Sequence, residues 1–466
     1  MKSWPRTGGW AVRWTLVLVV ALWWPGVVGG TQDEPRQAEP PSKSGQEEPS
    51  LPVGLGDEEE AASPDEEPAP AAAKPSRRIH GFWEVGTGPR LHNDPAQPKD
   101  FTLAETRLQL EWEAPWKSVV LEYRGDLVLD GVSEDLEYDQ RQLQLSASLG
   151  SRVDLRIGRQ ILTWGTGDLL FINDLFPKDW PSFFIGRDTE YLKAPSDAVR
   201  LGWFLPGINV DLVYTPKFDP DRFIQGERIS FWSPQAGAIV GHDTQVDAAI
   251  PDTWLEDDEL AIRIYRSVKS YELALYGYDG FWKSPAGFDP DTSRATFPRL
   301  RVYGLSARGP VGPGIGNVEV GFLDSRDDPS GTAPLVGNSE ARLLLGYELE
   351  LAKELTGGFQ YYAERLLDYG EYRRTLGTVE PRDEIRHVVT LRLTKLLMSQ
   401  NLTLGVFTYL SPSDRDAYLR PRVSYKVSDR WTLGAGGNWF LGEDDYTFFG
   451  QFEDNSNIYG SVRLSF

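Results

Sequence analysis

Between Trp164 and Pro195 the chain sets eight charged side chains in a stretch without a regular period: Asp168, Asp174, Lys178, Asp179, Arg187, Asp188, Glu190 and Lys193. Phe171, Phe176, Trp180, Phe183, Phe184 and Tyr191 are interleaved with them. Carboxylates in such number suit acid–base work, but hydrolytic chemistry also needs a nucleophile and a base within hydrogen-bond reach. The histidines His80, His92, His242 and His387 all lie elsewhere and show no Ser-His or Asp-His spacing of a lipase or protease, and cysteine is absent. A structural or catalytic metal centre built on Cys and His is therefore not expected. Gly165-Thr166-Gly167 lacks the following helix that a phosphate loop needs. No enzyme, cofactor or metal is predicted. Mixed charge on an aromatic-rich loop suits a different task, that of meeting and filtering polar solutes.

The flanking elements say where such a loop would sit. Val153, Leu155 and Ile157 alternate with Arg152, Asp154, Arg156 and Gln160, the period-two pattern of a strand with one apolar and one charged face. The same alternation recurs along the chain. Leu108, Leu110 and Trp112 oppose Arg107, Gln109 and Glu111; Leu121 and Tyr123 oppose Glu122 and Arg124; Leu343 and Leu345 oppose Arg342; Leu391 and Leu393 oppose Arg392; Val423 opposes Arg422. Tight turns are expected at 114–116, 150–151, 206–207, 268–269, 353–354, 399–400 and 428–429. Long polar loops are expected near 92–99, 131–138, 163–197, 216–257, 281–297, 326–339, 368–383, 411–416 and 442–454. Short connections on one side and long ones on the other are the signature of a transmembrane antiparallel β-barrel with short periplasmic turns and long extracellular loops. The count comes to about eighteen strands, with the blurred segment 298–307 and the glycine-rich 430–441 the hardest to place.

Ahead of the barrel, residues 1–30 read as a secretory signal, with Lys2, Arg6 and Arg13 before an apolar run too short to span a bilayer. Residues 31–79 are rich in Pro, Glu, Ala and Ser and read as a disordered acidic periplasmic tether. The formal net charge is −21; the leader holds three basic residues and the tether twelve acidic and five basic, which leaves −17 for residues 80–466. Nucleic acid is not an expected partner.

A soluble antiparallel sheet also alternates. Three features favour the membrane. Trp112, Trp116, Trp203, Trp254, Trp431 and Tyr425 suit aromatic girdles at the two interfaces. An exported chain of this size without cysteine draws stability from a closed hydrogen-bonded sheet. The last strand, residues 456–466, carries Tyr459, Val462, Leu464 and a terminal Phe466 and looks like the assembly signal of Gram-negative outer-membrane barrels. The expected location is the outer membrane, with its lipid, its lipopolysaccharide and the barrel assembly machinery as partners.

Residues 155–165, LRIGRQILTWG, followed by Asp168, Asp174, Pro177-Lys178-Asp179 and Lys193-Ala194-Pro195, resemble the G-R-Q…W-G…D…P-x-D…K signature of a broad group of porin-like outer-membrane barrels similar to the alginate-export porins. The resemblance covers about residues 151–204 and implies a channel. Porin-like trimers are common, so a homo-oligomer is among the partners it implies.

A barrel of this size keeps an aqueous lumen. Arg107, Arg124, Arg152, Arg156, Arg342, Arg392, Arg420 and Arg422 fall on the predicted lumenal face. Rings of arginine favour anionic solutes, whereas pairing with Glu105, Glu111, Glu122 and Asp126 would stiffen the wall instead. The expected function is passive diffusion of small polar, anionic solutes, with the loop after Trp164 folded inward as the constriction. The rivals are an export conduit for an acidic polysaccharide, which needs a more uniformly arginine-lined lumen, and a plugged structural or adhesive barrel.

Overall fold

The computed structural model describes residues 79–376 and 381–466. The expected signal sequence and the tether up to residue 78 lie outside them. In chain order the long strands are β1 (His80–Pro89), β2 (Phe101–Trp116), β3 (Val119–Asp130), β4 (Asp135–Ser148), β5 (Val153–Ile161) and β6 (Pro195–Leu205). Then follow β7 (Ile208–Thr215), β8 (Glu259–Val268), β9 (Tyr271–Phe281), β10 (Arg299–Val311), β11 (Gly314–Ser325) and β12 (Glu340–Ala352). The last six are β13 (Leu355–Leu366), β14 (Ile385–Leu397), β15 (Leu402–Ser411), β16 (Asp416–Lys426), β17 (Trp431–Gly442) and β18 (Asn457–Ser465). Each pairs antiparallel with its sequence neighbours in one 18-stranded sheet. β1 also pairs with β18, Phe82 opposite Ser465 and Trp83 opposite Leu464, so the sheet closes on itself. Beyond that seam Gly81 and Phe466 exchange two backbone hydrogen bonds of 3.2 and 3.0 Å.

Closure leaves no free edge, the condition for strands to cross lipid. Period two then sorts the side chains. Leu127, Leu275, Leu391 and Leu433 stand on the outer face, each more than 40% exposed, an arrangement that only an apolar surround stabilises. Glu105, Asp126, Asp211 and Glu319 point inward and are buried. The chain is thus an all-β transmembrane barrel of the outer-membrane type, as the alternation predicts.

Connections alternate between short turns at one end and longer loops at the other, also as expected, with three differences. The turn expected at 114–116 comes later, because Ala114, Pro115 and Trp116 remain paired with Leu121, Val120 and Val119; Lys117, at φ 55°, makes the bend. The loop expected at 131–138 is only 131–134, since Asp135 already pairs with Asp130. An eighth turn, between β10 and β11, falls at Gly312 with φ 58°, where alternation is blurred by Gly309, Pro310 and Pro313. Among the girdle candidates, Trp254 stands in the β7–β8 loop rather than on a strand.

Candidate functional site

Residues 162–194, between β5 and β6, run through the barrel interior. The segment opens against the β6–β11 wall, where Leu162, Trp164 and Phe176 join a buried cluster with Ala198, Val213, Ala261, Tyr276, Tyr278, Val302 and Leu323. Glu319 of β11 then holds the chain from the wall. Its carboxylate accepts from the backbone N–H groups of Thr166 and of Gly167, the latter at 3.0 Å, and from Asn173 Nδ2 at 3.2 Å. Gln360 of β13 binds both backbone groups of Asp168, accepting from its N–H at 2.7 Å and donating to its carbonyl at 2.8 Å. Arg392 of β14 binds the Asp168 carboxylate. Tyr409 of β15 donates to the Leu169 carbonyl at 2.7 Å.

The chain then forms one short helix, α1 (Trp180–Ile185). Asp179 caps it, its carboxylate accepting from Ser182 N at 2.8 Å, and Pro181 suits the first turn. Gly186 ends it with φ 95°. A Cβ there would lie 2.2 Å from the Tyr459 ring, so both the left-handed backbone and the contact require glycine. Phe183 and Phe184 pack against the β16–β17 wall: Phe184 meets the Phe440 ring edge-on at 5.2 Å, and Tyr418 stacks on Phe440 at 4.6 Å. An antiparallel bridge between Lys178 and Lys193 closes residues 178–193 into a compact loop.

Polar contacts fix the return crossing. Arg187 forms an ion pair with Glu105 of β2 at 2.6 Å, and Asp188 one with Arg422 of β16 at 2.5 Å. Tyr191 is buried, with its hydroxyl donating to Asp126 at 2.8 Å and accepting from Gln109 at 3.0 Å. The guanidinium groups of Arg107 and Arg141 lie over its ring at 4.2 and 4.5 Å. Arg107 also pairs with Glu105 at 3.0 Å and Asp126 at 2.5 Å. Arg141 of β4 donates to the carbonyls of Glu190 and Lys193 at 3.1 and 3.0 Å. A single loop is thereby fastened to β2, β3, β4, β11, β13, β14, β15 and β16.

The charges picked from the sequence divide into two groups. Asp168, Asp188 and Glu190 keep solvent contact inside the barrel, Glu190 the most. Asp174, Lys178 and Asp179 do not face solute. Lys178 and Asp174 are a buried ion pair at 2.9 Å, each side chain at most 3% exposed, and Asp179 is committed to the α1 cap and to Arg222 at 3.2 Å. Arg187 is turned toward Glu105, and Lys193 is half-buried at the loop's closing bridge. Among the wall arginines, Arg107 and Arg420 are buried beneath the loop, Arg420 donating to the Arg187 carbonyl at 3.1 Å. Arg152 belongs to the turn before β5 and is exposed. Arg342 pairs with Glu340 at 2.6 Å. Arg124 pairs with Glu111 at 3.3 Å and retains partial exposure. Arg156 is exposed and stands directly opposite Arg200 in the β5–β6 register. Tyr459 points inward and is buried under Gly186, on the face opposite Val462 and Leu464, which alternation puts toward lipid.

Glu319, Gln360 and Arg141 join Tyr191, one of the loop aromatics, in carrying much of the fastening, and no sequence pattern singles those three out. Strand parity places Glu319, Gln360 and Arg141 on the inner wall. That their partners are backbone groups of a distant loop has no signal in a single sequence.

The enclosure perturbs the loop carboxylates in opposite directions. Burial alone would raise Asp188, but the Arg422 charge and hydrogen bond hold it below the ordinary range. Glu190 is raised, first by withdrawal from bulk water and then by the neighbouring Asp188 charge, against the opposing pull of Arg463, Arg124 and Arg141.

No protein-family model and no curated protein matches the chain. Among solved structures, it is similar to OccD3 (OpdP) of Pseudomonas aeruginosa at 9% identity and a TM-score of 0.48, covering 83% of this chain and 91% of that one. OccAB1 of Acinetobacter baumannii gives 11% and 0.48, covering 83% and 95%. A mutant of the Rh. blastica porin gives 12% and 0.36, covering 84% and 100%. At these identities and scores the likenesses add nothing to the architecture already read from strand register, and function has to come from the lumen itself.

Proposed function

We propose that this chain is an outer-membrane channel for passive diffusion of small polar, anionic solutes, with residues 162–194 as its constriction. The observation that carries the reading is the lumenal loop: held from both walls, it narrows an interior that eighteen strands would otherwise leave wide. Outer-membrane lipid and lipopolysaccharide would surround the apolar belt. The anionic preference rests on Arg156 and Arg200. Like charges directly opposite in a sheet repel; Arg156 is exposed beside Arg200, which itself pairs with Asp211 at 3.2 Å. An anion passing this wall relieves the repulsion. The rest of the inner wall mixes both signs, with Glu272 beside Arg263 and Glu84 beside Arg463, which suits small solutes better than a long polyanion.

Reversal potential under a salt gradient tests the preference. The intact protein is expected to favour chloride over potassium, and the double variant R156Q/R200Q to lose most of that bias. Cation selectivity in the intact protein, or an unchanged bias in the variant, would contradict the assignment.

Glu190 adds a pH dependence of known sign. Its carboxyl sits above the ordinary value of about 4.3, so it takes up a proton earlier than other glutamates as pH falls. Losing that negative charge strengthens anion preference as pH falls from neutral toward the ordinary glutamate range, and E190Q should show the low-pH behaviour throughout. Asp188 moves the other way. Its lowered carboxyl keeps the Arg422 contact charged above the unfolded value of about 3.9, and the contact is lost only as pH falls through the still lower folded value. The loop should therefore stay fastened across the same window.

For assembly we assign the recognition signal to Val462, Leu464 and Phe466, read by the barrel assembly machinery. Tyr459, facing inward, is left out. Deleting Phe466 removes both hydrogen bonds to Gly81, and the truncated chain is expected to fail to reach the outer membrane as a heat-modifiable barrel. Normal yields of the folded form would remove the basis for the signal.

A further inference from the structure

At the long-loop rim, the β1–β2, β3–β4 and β7–β8 loops line an open surface pocket of about 210 Å³ to which residues 162–194 contribute nothing. We propose that this pocket binds one pyranose ring of a neutral saccharide. Size permits it, since an apolar cavity of roughly 150 Å³ already admits a benzene ring, and the larger volume leaves room for ring substituents. Charge selects the class. Arg90 and Lys99 are met in the lining by Glu134 and Glu227, so formal charge cancels and a net anion or cation gains nothing.

The two cations are already engaged. Lys99 Nζ donates to Glu134 at 2.5 Å and to the Gly131 carbonyl at 3.0 Å, and Arg90 donates to the carbonyls of Phe101 and Arg228 at 3.1 and 2.6 Å. Glu227, the Ser133 hydroxyl and the His242 ring line the same space without a hydrogen-bond partner among the described residues. Acceptors and a hydroxyl around a space of one ring suit vicinal hydroxyl groups. Phe101, 42% exposed, supplies an apolar surface for the C–H face of the sugar.

The walls are fastened to each other before any ligand arrives. Gln97 Nε2 donates to the Gly226 carbonyl at 2.8 Å, and His242 N to the Ala96 carbonyl at 3.0 Å. Gly241 approaches so closely that a Cβ would lie 2.4 Å from Ala96 O. A preformed cavity with a few convergent polar groups is the usual form of a small-ligand site.

Saturation-transfer NMR on the full chain in detergent micelles tests this, using the methyl glycosides of glucose, galactose and mannose, with glucuronate and glucosamine as charged probes. At least one neutral glycoside should receive saturation, more than either charged probe. S133W, which fills the cavity, should abolish the transfer, and E227Q should weaken it. S133W should retain normal heat-modifiability and reversal potential, because the cavity lies apart from the lumenal loop. Absence of transfer to every neutral glycoside, preference for a charged probe, or equal transfer to S133W would each overturn the proposal. The readout needs no ion flow, so failure of the channel reading would leave it standing and the converse also holds.

Discussion

Removing residues 171–187 and bridging the gap with a short glycine–serine linker should raise single-channel conductance several-fold. The deleted segment holds α1, Phe183 and Phe184, the Lys178–Asp174 pair and Arg187, which together form the mass of the loop inside the barrel. The strands remain paired to one another through eighteen registers that do not include it, so the barrel should persist as a heat-modifiable species. What is lost is the obstruction. A barrel of this strand number without an inward loop has room for an aqueous channel. Conductance equal to that of the intact protein would place the resistance elsewhere, in the β7–β8 loop that also folds over the lumen through Arg222 to Asp139 at 2.6 Å and Arg228 to Asp130 at 2.5 Å.

The second large effect is expected at Arg107. Its side chain is 2% exposed and sits among Glu105, Asp126 and the Tyr191 ring. Replacing it with alanine removes the cation that two buried carboxylates share. Breaking a buried pair in this way costs about 3–5 kcal/mol. Arg187 still reaches Glu105, but Asp126 keeps only the Tyr191 and Gln109 hydrogen bonds. R107A should therefore unfold at markedly lower denaturant concentration than the parent and show a noisier, larger conductance as the return crossing loosens. R124A, at a half-exposed pair with Glu111, should change stability by less than about 1 kcal/mol. Equal stability of R107A and the parent in urea-induced unfolding would mean that the network contributes no net stabilisation.

The barrel was legible because period two is imposed by the strand itself and reports which face meets lipid. Leu391 and Leu393 against Arg392 gave both the strand and its orientation. Parity failed only where the strand stopped or the pattern was diluted. Arg152 continues the β5 alternation one residue into a turn, where parity carries less weight. Pro115 and Trp116 read as a turn, yet close to a hairpin end a proline can remain in register, and Gly309 to Pro313 blurred the turn between β10 and β11. Tyr459 was grouped with Val462 and Leu464 although its parity is odd against theirs.

The lumenal loop was legible as a unit and not in detail. Phe183, Phe184 and Tyr191, three of its interleaved aromatics, are buried in the barrel, in keeping with a loop folded inward. Without a period, nothing in the sequence distinguishes a charge that caps a helix, such as Asp179, from one that faces the lumen, such as Glu190. The buried Lys178–Asp174 pair is separated by four residues in sequence, a spacing that carries no meaning outside a helix. Glu319 and Gln360 find their partners some 150 to 190 residues away, a separation that only the closed sheet resolves.

The most direct test of the account is a planar-bilayer recording of the intact purified chain. Discrete conductance steps of small amplitude, with an anion-selective reversal potential, are the predicted result: an open channel narrowed by its own loop. A membrane that stays silent at every protein concentration and voltage, with the folded barrel demonstrably inserted, would show that the loop closes the lumen, and would contradict the channel reading.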